Sequence, residues 1–160
     1  MPDLSRDAAA AVAERETVWV KRLENVQCTV NVGNRFAFIT DEPVEIGGSG
    51  MAVNPFAMLL ASLGTCSVGT LTGYARANGI PLDGVSLKLT RKLNTVSSTG
   101  PGDPRELELK IVRIDREITV EGALSEADLD RLRAAVACCP VANSLKGSIP
   151  IRDTLRLAGH

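Results

Sequence analysis

The stretch NPFAMLLASLGTCSVGTLTGYARANGIP, residues 54–81, decides the fold. Asn54 can cap a helix, Pro55 suits a first helical turn, and Gly79 with Pro81 stops one. The spacing therefore predicts a helix from Phe56 to about Asn78. Phe56, Leu59, Leu60, Leu63, Val68 and Leu71 supply bulk, while Ala61, Ser62, Gly64, Gly69 and Gly73 keep the cylinder slim on nearly every side. A helix this apolar is expected to be central and buried on most sides, its glycines admitting other backbones closely. Cys66 sits in its middle with no charged residue within seven positions either way. A lone cysteine there is ordinarily a small packing residue, and burial would raise its pKa and keep it inert. To react it needs a cation, and the helix offers none nearby. Arg22, Arg35 or an arginine of another subunit would have to reach it.

Working outward, residues 3–16 read as a short Ala-rich helix, part of an N-terminal helical segment over 1–16. Three strand-like runs follow: TVWVKRL, VQCTVNV with Val26, Cys28, Val30 and Val32 in alternation, and RFAFIT. Gly33-Asn34 between the second and third signals a hairpin. Cys28 shares the valine face and reads as a small buried residue. DEPVEIGGSGMAVNP then breaks regular structure and reads as an ordered loop. Beyond the long helix, DGVSLKLTRKL and RELELKIVRIDREITVEG alternate as a long antiparallel pair, joined by a Gly/Ser/Pro-rich tip at 96–104. In the second of these the apolar positions change from odd to even near Ile111-Val112, which predicts a β-bulge. Ser125 opens a second helix with Asp128 completing a weak capping box, and SIPIRDTLRLA reads as a last strand. The whole is expected to be one domain over residues 1–160.

Composition narrows the chemistry. A formal net charge of −1 leaves no footprint for nucleic acid or an anionic membrane. No run is expected to reach the roughly 18 apolar residues that span a bilayer, and the N-terminus lacks a signal-peptide layout, so a cytoplasmic protein is expected. Four cysteines, at 28, 66, 138 and 139, form no C-x-x-C motif, and in that compartment they are not expected to form structural disulfides. The one histidine is His160, the last residue. That count removes Cys-His and Ser-His-Asp mechanisms and most zinc sites, so neither metal nor cofactor is expected.

Cys139 precedes Pro140, which suits the first position of a short helix, PVANSLKG. Cys139 would then be its cap, its sulfur facing free N–H groups that favour thiolate; the plainer reading is a cysteine that only packs at a helix junction. Together with Cys66, it fits a two-cysteine peroxide reductase. One thiolate attacks the O–O bond and becomes a sulfenic acid, and the other thiol condenses with it.

Three blocks, DEPVEIGG, NPFAMLLASLGTCSVGTLTGYARANGIPLDGVSLKL and ACCPVANSLKG, resemble the OsmC/Ohr family of osmotically inducible and organic hydroperoxide resistance proteins in order and over most of residues 25–158. The resemblance implies an α+β OsmC-like fold: curved antiparallel sheets packed around a long central helix, in an intertwined homodimer with active sites at its interface. It implies Cys66 as the peroxidatic thiol and Cys139 as the resolving one. It further implies reduction of organic hydroperoxides in oxidative-stress defence, regenerated by a dithiol reductant, either a small protein or a low-molecular-weight thiol. One departure matters. Family peroxidases commonly carry a glutamate ten residues before the first cysteine, orienting an arginine; here Phe56 stands there and accepts no charge-assisted hydrogen bond. Arg35 is then a possible thiolate-stabilising cation and Glu42 or Glu45 its possible partner, against plainer roles as surface or loop residues. Phe56 keeps two other readings open: a redox-sensing or small-molecule-binding protein without fast turnover, and thiol chemistry on another electrophile.

Overall fold

A computed structural model describes residues 17–33, 35–96 and 108–159. The expected N-terminal helix, most of the tip at 96–104 and His160 fall outside the described residues. The chain divides between Leu59 and Leu60 into two compact units.

In the first unit the three β-branched and aromatic runs become strands β1 (Val18–Arg22), β2 (Cys28–Val32) and β3 (Phe36–Thr40), an antiparallel meander in that order. Asn25 turns the first connection and Gly33 the second, each with positive φ. The loop that follows is organised by one buried carboxylate. Asp41 accepts from the backbone N–H groups of Glu42, Ser49 and Met51 at 2.9, 3.1 and 3.1 Å, and from the Ser49 hydroxyl at 2.6 Å. The Gln27 amide donates to it more weakly, at 3.4 Å. Gly48 must be glycine, because a Cβ there would collide with the Glu42 carbonyl.

The long helix α1 spans Pro55–Ala77, with the Asn54 side chain accepting from the Ala57 N–H at 2.8 Å. By length and composition it is apolar enough to cross a membrane, with a mean hydropathy of 1.4 over its best window. The expectation that no run reaches that length is corrected. Within one chain it buries a single face, Leu63, Gly64, Ser67, Leu71 and Ala75, at the three- and four-residue spacing of a helix stripe. The opposite face, Ala61, Thr65, Gly69, Gly73 and Arg76, is exposed, so burial on most sides does not occur within one chain.

The second unit adds β4 (Gly84–Val96), β5 (Glu108–Glu121), α2 (Glu126–Val136), α3 (Pro140–Leu145) and β6 (Ile151–Leu157). β4 and β5 pair antiparallel, and the register slips where expected: Lys92 faces Arg113 but Leu93 faces Ile111, leaving Val112 as the extra residue. Beyond that bulge the even positions of β5 turn inward. Ile114, Ile118 and Val120 are fully buried, and so is Arg116 between them. α2 begins with the expected capping box of Ser125 and Asp128. β6 departs from an all-antiparallel sheet: it lies parallel to β5, placing Ile151 beside Ile114 and Asp153 beside Arg116. A parallel neighbour requires a crossover, and α2 with α3 provides it. Leu71 and Ala75 of α1, Ile118 and Val120 of β5, and Leu129, Leu132 and Val136 of α2 form the core of this unit.

Candidate functional site

The two cysteines singled out by the sequence come together in the second unit. Cys66 projects half-buried from the middle of α1, and Cys139 is completely buried at the start of α3. Cys139 is the N-cap of that helix and Pro140 opens it, as its sequence predicts. Its sulfur completes no strict capping hydrogen bond, yet the Ala142 N–H lies near enough to favour negative charge on it. The Val141 N–H acts in the same way on Cys66. The first turn of α3 therefore turns its free amides toward both sulfurs.

The cation beside the pair is Arg116. Its guanidinium is 1% exposed and makes a two-pronged bond with Asp153: Nε to Oδ1 at 2.7 Å and Nη2 to Oδ2 at 2.8 Å. The remaining nitrogen, Nη1, donates to the Ser67 hydroxyl at 2.5 Å. Ser67 Oγ in turn lies 3.6 Å from the Cys139 sulfur and 2.6 Å from the Leu63 carbonyl. Four elements thus converge: α1 brings Cys66 and Ser67, β5 brings Arg116, β6 brings Asp153, and the turn into α3 brings Cys139.

The same surroundings act oppositely on the two thiols. Burial pushes the Cys66 thiol above its ordinary value, and the neighbouring Cys139 sulfur adds to this; the Val141 amide and the Thr70 hydroxyl only partly offset them. At Cys139 burial is again the largest single influence and opposes ionisation. Here it is outweighed by the Ala142 amide, the Ser67 hydroxyl, the Cys66 thiol and the field of Arg116, and the net direction is downward.

The other candidates have surroundings of their own. Arg35 holds its guanidinium 5.6 Å from the centre of the Phe36 ring, a cation–π contact within the first unit. Glu42 lies in the Asp41-centred loop, its carbonyl accepting from the Gly50 N–H at 3.1 Å. Phe56 is half-buried in the first turn of α1. Cys28 is half-buried on β2 with its sulfur 3.8 Å from the Val26 carbonyl, and Cys138 is exposed. Among the described residues no group of three or more His, Cys, Asp and Glu side chains is placed to hold a metal ion. A cleft of about 220 Å³ opens beside Arg116 and Asp153, walled by Val136, Ala142, Lys146 and Ile151; neither sulfur lines it.

Sequence reasoning missed Arg116, Ser67 and Asp153. The signal for Arg116 was present, since it interrupts the inward row Ile114, Ile118, Val120 with a charge, and a buried charge requires a partner.

The family model for OsmC-like proteins matches residues 47–152. No curated protein matches the chain. Several solved structures share its fold. An OsmC-like protein from Mycoplasma pneumoniae is 21% identical, with 90% of this chain and 97% of that one covered at a TM-score of 0.70. An organic hydroperoxide resistance protein OsmC from Legionella pneumophila is 20% identical, covering 87% and 96% at 0.68. An organic hydroperoxide resistance protein from Elizabethkingia anophelis is 17% identical, covering 89% and 96% at 0.68.

Proposed function

The chain belongs to the OsmC-like family, and from that premise we propose that it is a thiol-dependent peroxidase that reduces organic hydroperoxides through Cys66 and Cys139. The observation that carries this is the meeting of two thiols beside a buried arginine in a chain whose one histidine is terminal. Peroxide reduction by thiols needs a sulfur that can ionise and a second that can close a disulfide, and no other group need change oxidation state. Two of the proteins sharing the fold are organic hydroperoxide resistance proteins, which agrees with that substrate class. Cys66 is the more exposed sulfur and is the one assigned to attack; Cys139 closes the disulfide, and a dithiol reductant reopens it by exchange.

The working form is proposed to be a homodimer. One chain leaves the small-residue face of α1 open, together with Trp19, Phe36, Val44 and Met51, each more than half exposed. Gly69 and Gly73 have nothing within 4 Å of where a Cβ would lie, which leaves room for another backbone. Obligate dimers bury such apolar area as a shared core.

One observation favours a second reading. Burial disfavours the Cys66 thiolate, which suits a sensing or binding protein with slow chemistry. Purified protein with an alkyl hydroperoxide and a dithiol reductant separates the two. The peroxidase consumes peroxide over many turnovers, Cys66→Ser abolishes this and Cys28→Ser leaves it nearly intact. Absence of turnover, or equal loss from both substitutions in folded proteins, refutes the peroxidase.

A further inference from the structure

We propose that Ser67 is a positioning residue for the disulfide step: anchored by Arg116, its hydroxyl seats the Cys139 sulfur beside Cys66 and hydrogen-bonds to that sulfur when a dithiol expels it from the disulfide. This rests on the two-cysteine reading for the pairing of the thiols, but not on peroxide being the oxidant.

Ser67 follows Cys66 on α1, and successive residues of a helix point about 100° apart. Where Cys66 stands half-buried, Ser67 is closed off from solvent and meets three other groups. Its oxygen accepts from Arg116 Nη1 at 2.5 Å, lies 2.6 Å from the Leu63 carbonyl and lies 3.6 Å from the Cys139 sulfur. One atom thus ties α1 to β5 and to the turn into α3, next in sequence to the residue assigned to attack. Asp153 holds the other side of Arg116 through two bonds and keeps the guanidinium in place. Arg116, Ser67 and Cys139 are all enclosed within one chain, so a second copy over the open face of α1 leaves these contacts as they are. Packing alone does not call for a hydroxyl here. A serine in mid-helix ordinarily returns its proton to the carbonyl four residues back, and Leu63 offers that acceptor. One proton cannot serve Leu63 and Cys139 together. While Cys139 is a thiol, the carbonyl is the better acceptor. Once the sulfur carries charge it takes over, because charge-assisted hydrogen bonds are about twice as strong. Arg116 donates to the oxygen in either case, so the hydroxyl turns with the chemistry while the heavy atoms stay.

Cys139 is completely buried and Cys66 is not, so a dithiol reaches the disulfide at Cys66. One thiolate of the dithiol bonds to the Cys66 sulfur, the S–S bond breaks, and its electron pair stays on Cys139. The Ser67 hydroxyl turns to meet that charge, and a thiol whose anion is stabilised leaves faster. Cys139 then takes the proton of the dithiol's second S–H. The thiolate so formed attacks the dithiol's own sulfur in the mixed disulfide and releases Cys66 as a thiolate. The dithiol ends as a cyclic disulfide, oxidised by two electrons, and the protein gains them as one thiol and one thiolate. Closing the disulfide uses the same contact. Cys139 gives up its proton as it attacks the sulfenic sulfur of Cys66; the S–S bond forms, the S–O bond breaks, and the departing hydroxide takes that proton and leaves as water.

The test uses the full-length chain with Cys28→Ser and Cys138→Ser, its remaining pair oxidised by diamide so that no peroxide is needed. Brief treatment with mercaptoethanol, an acid quench and mass mapping should place the adduct on Cys66. Reduction by dithiothreitol is then timed by acid quench and counting of free thiols. Ser67→Ala should slow it about four- to tenfold, the effect of losing a charge-assisted hydrogen bond that is about half formed in the transition state. Ser67→Thr keeps the hydroxyl while adding a methyl group to a closed site, and it should recover most of the rate. A role in packing alone gives the opposite order, with alanine near the parent and threonine slower. Circular dichroism checks both folds, and where alanine does not fold the position of the adduct still decides. An adduct on Cys139, a rate that Ser67→Ala leaves unchanged, threonine slower than alanine, or a pair that diamide cannot join overturns the proposal. Peroxide consumption is measured apart. If Ser67→Ala slows reduction in a chain that consumes no hydroperoxide, this role stands and the peroxidase reading falls; if hydroperoxide is consumed over many turnovers while reduction ignores Ser67, the reverse holds.

Discussion

Replacing Asp153 by Asn should destabilise the protein far more than its position on a half-exposed last strand suggests. The carboxylate holds two nitrogens of Arg116 at 2.7 and 2.8 Å, and Arg116 is 1% exposed. An amide keeps one acceptor but removes the charge, leaving a buried guanidinium with one amide oxygen and Ser67 as polar partners and no counter-charge. Breaking a fully buried ion pair costs about 3–5 kcal/mol and breaking an exposed one about 0–1 kcal/mol. Asp153 is about one-third exposed, which puts the loss at roughly 2–3 kcal/mol between those limits. With a urea slope of about 2 kcal/mol per molar, the unfolding midpoint should fall by about 1–1.5 M at fixed protein concentration. Asp130→Asn is the matched comparison. Its pair with Arg133 is equally short, 2.6 Å, but both side chains are well exposed. That substitution should shift the midpoint by at most about 0.5 M, since exposed pairs contribute little. Equal shifts from the two substitutions would refute the view that Arg116 depends on Asp153 for its burial.

Stability should also fall on acidification through Asp41. The Ser49 hydroxyl, more than the opposing effect of burial, holds its carboxyl far below the usual carboxylate range, with the Met51 and Glu42 amides and Gln27 assisting. A depressed folded value means the contribution is complete above about pH 4, the unfolded value, and is lost as pH falls toward the folded one. Urea midpoints measured between neutral and strongly acidic pH should show Asp41→Asn less stable at neutrality and flatter in that window. Peptide mapping after one equivalent of hydroperoxide should find Cys66 bridged to Cys139 and not to exposed Cys138; a dominant Cys66–Cys138 bridge would contradict the buried pair as the reacting one. Sedimentation at micromolar concentration should give a dimer, and a monomer would contradict the shared core proposed for the open face of α1.

What the sequence made legible was whatever depends on local pattern. The ends of α1 followed from Asn54, Pro55 and Gly79, the bulge from a change of parity at Val112, and the cap at Cys139 from Pro140. The direction of β6 was not legible, because a period of two looks the same in parallel and antiparallel strands. Nor were the partners of the thiols. Ser67 reads as one more small residue in a slim helix, and only the crossover that lays Asp153 beside Arg116 explains how a charge can sit in the row of Ile114, Ile118 and Val120. Arg35 and Glu42 stand near the expected loop in sequence; Arg116, on a strand far along the chain, is an arginine that bears on Cys139.

The parallel pairing of β5 with β6 also sets an order of assembly. β4 and β5 can zip from their shared tip, but β6 docks only after α2 and α3 have carried the chain across. Contacts that wait on such a crossing form late, because the loop must close before any pairing repays its entropy. Arg116 belongs to the β4–β5 hairpin and Asp153 to the strand beyond the crossover, so the guanidinium waits for its carboxylate until β6 docks. The buried ion pair is thereby the last part of the site to be completed.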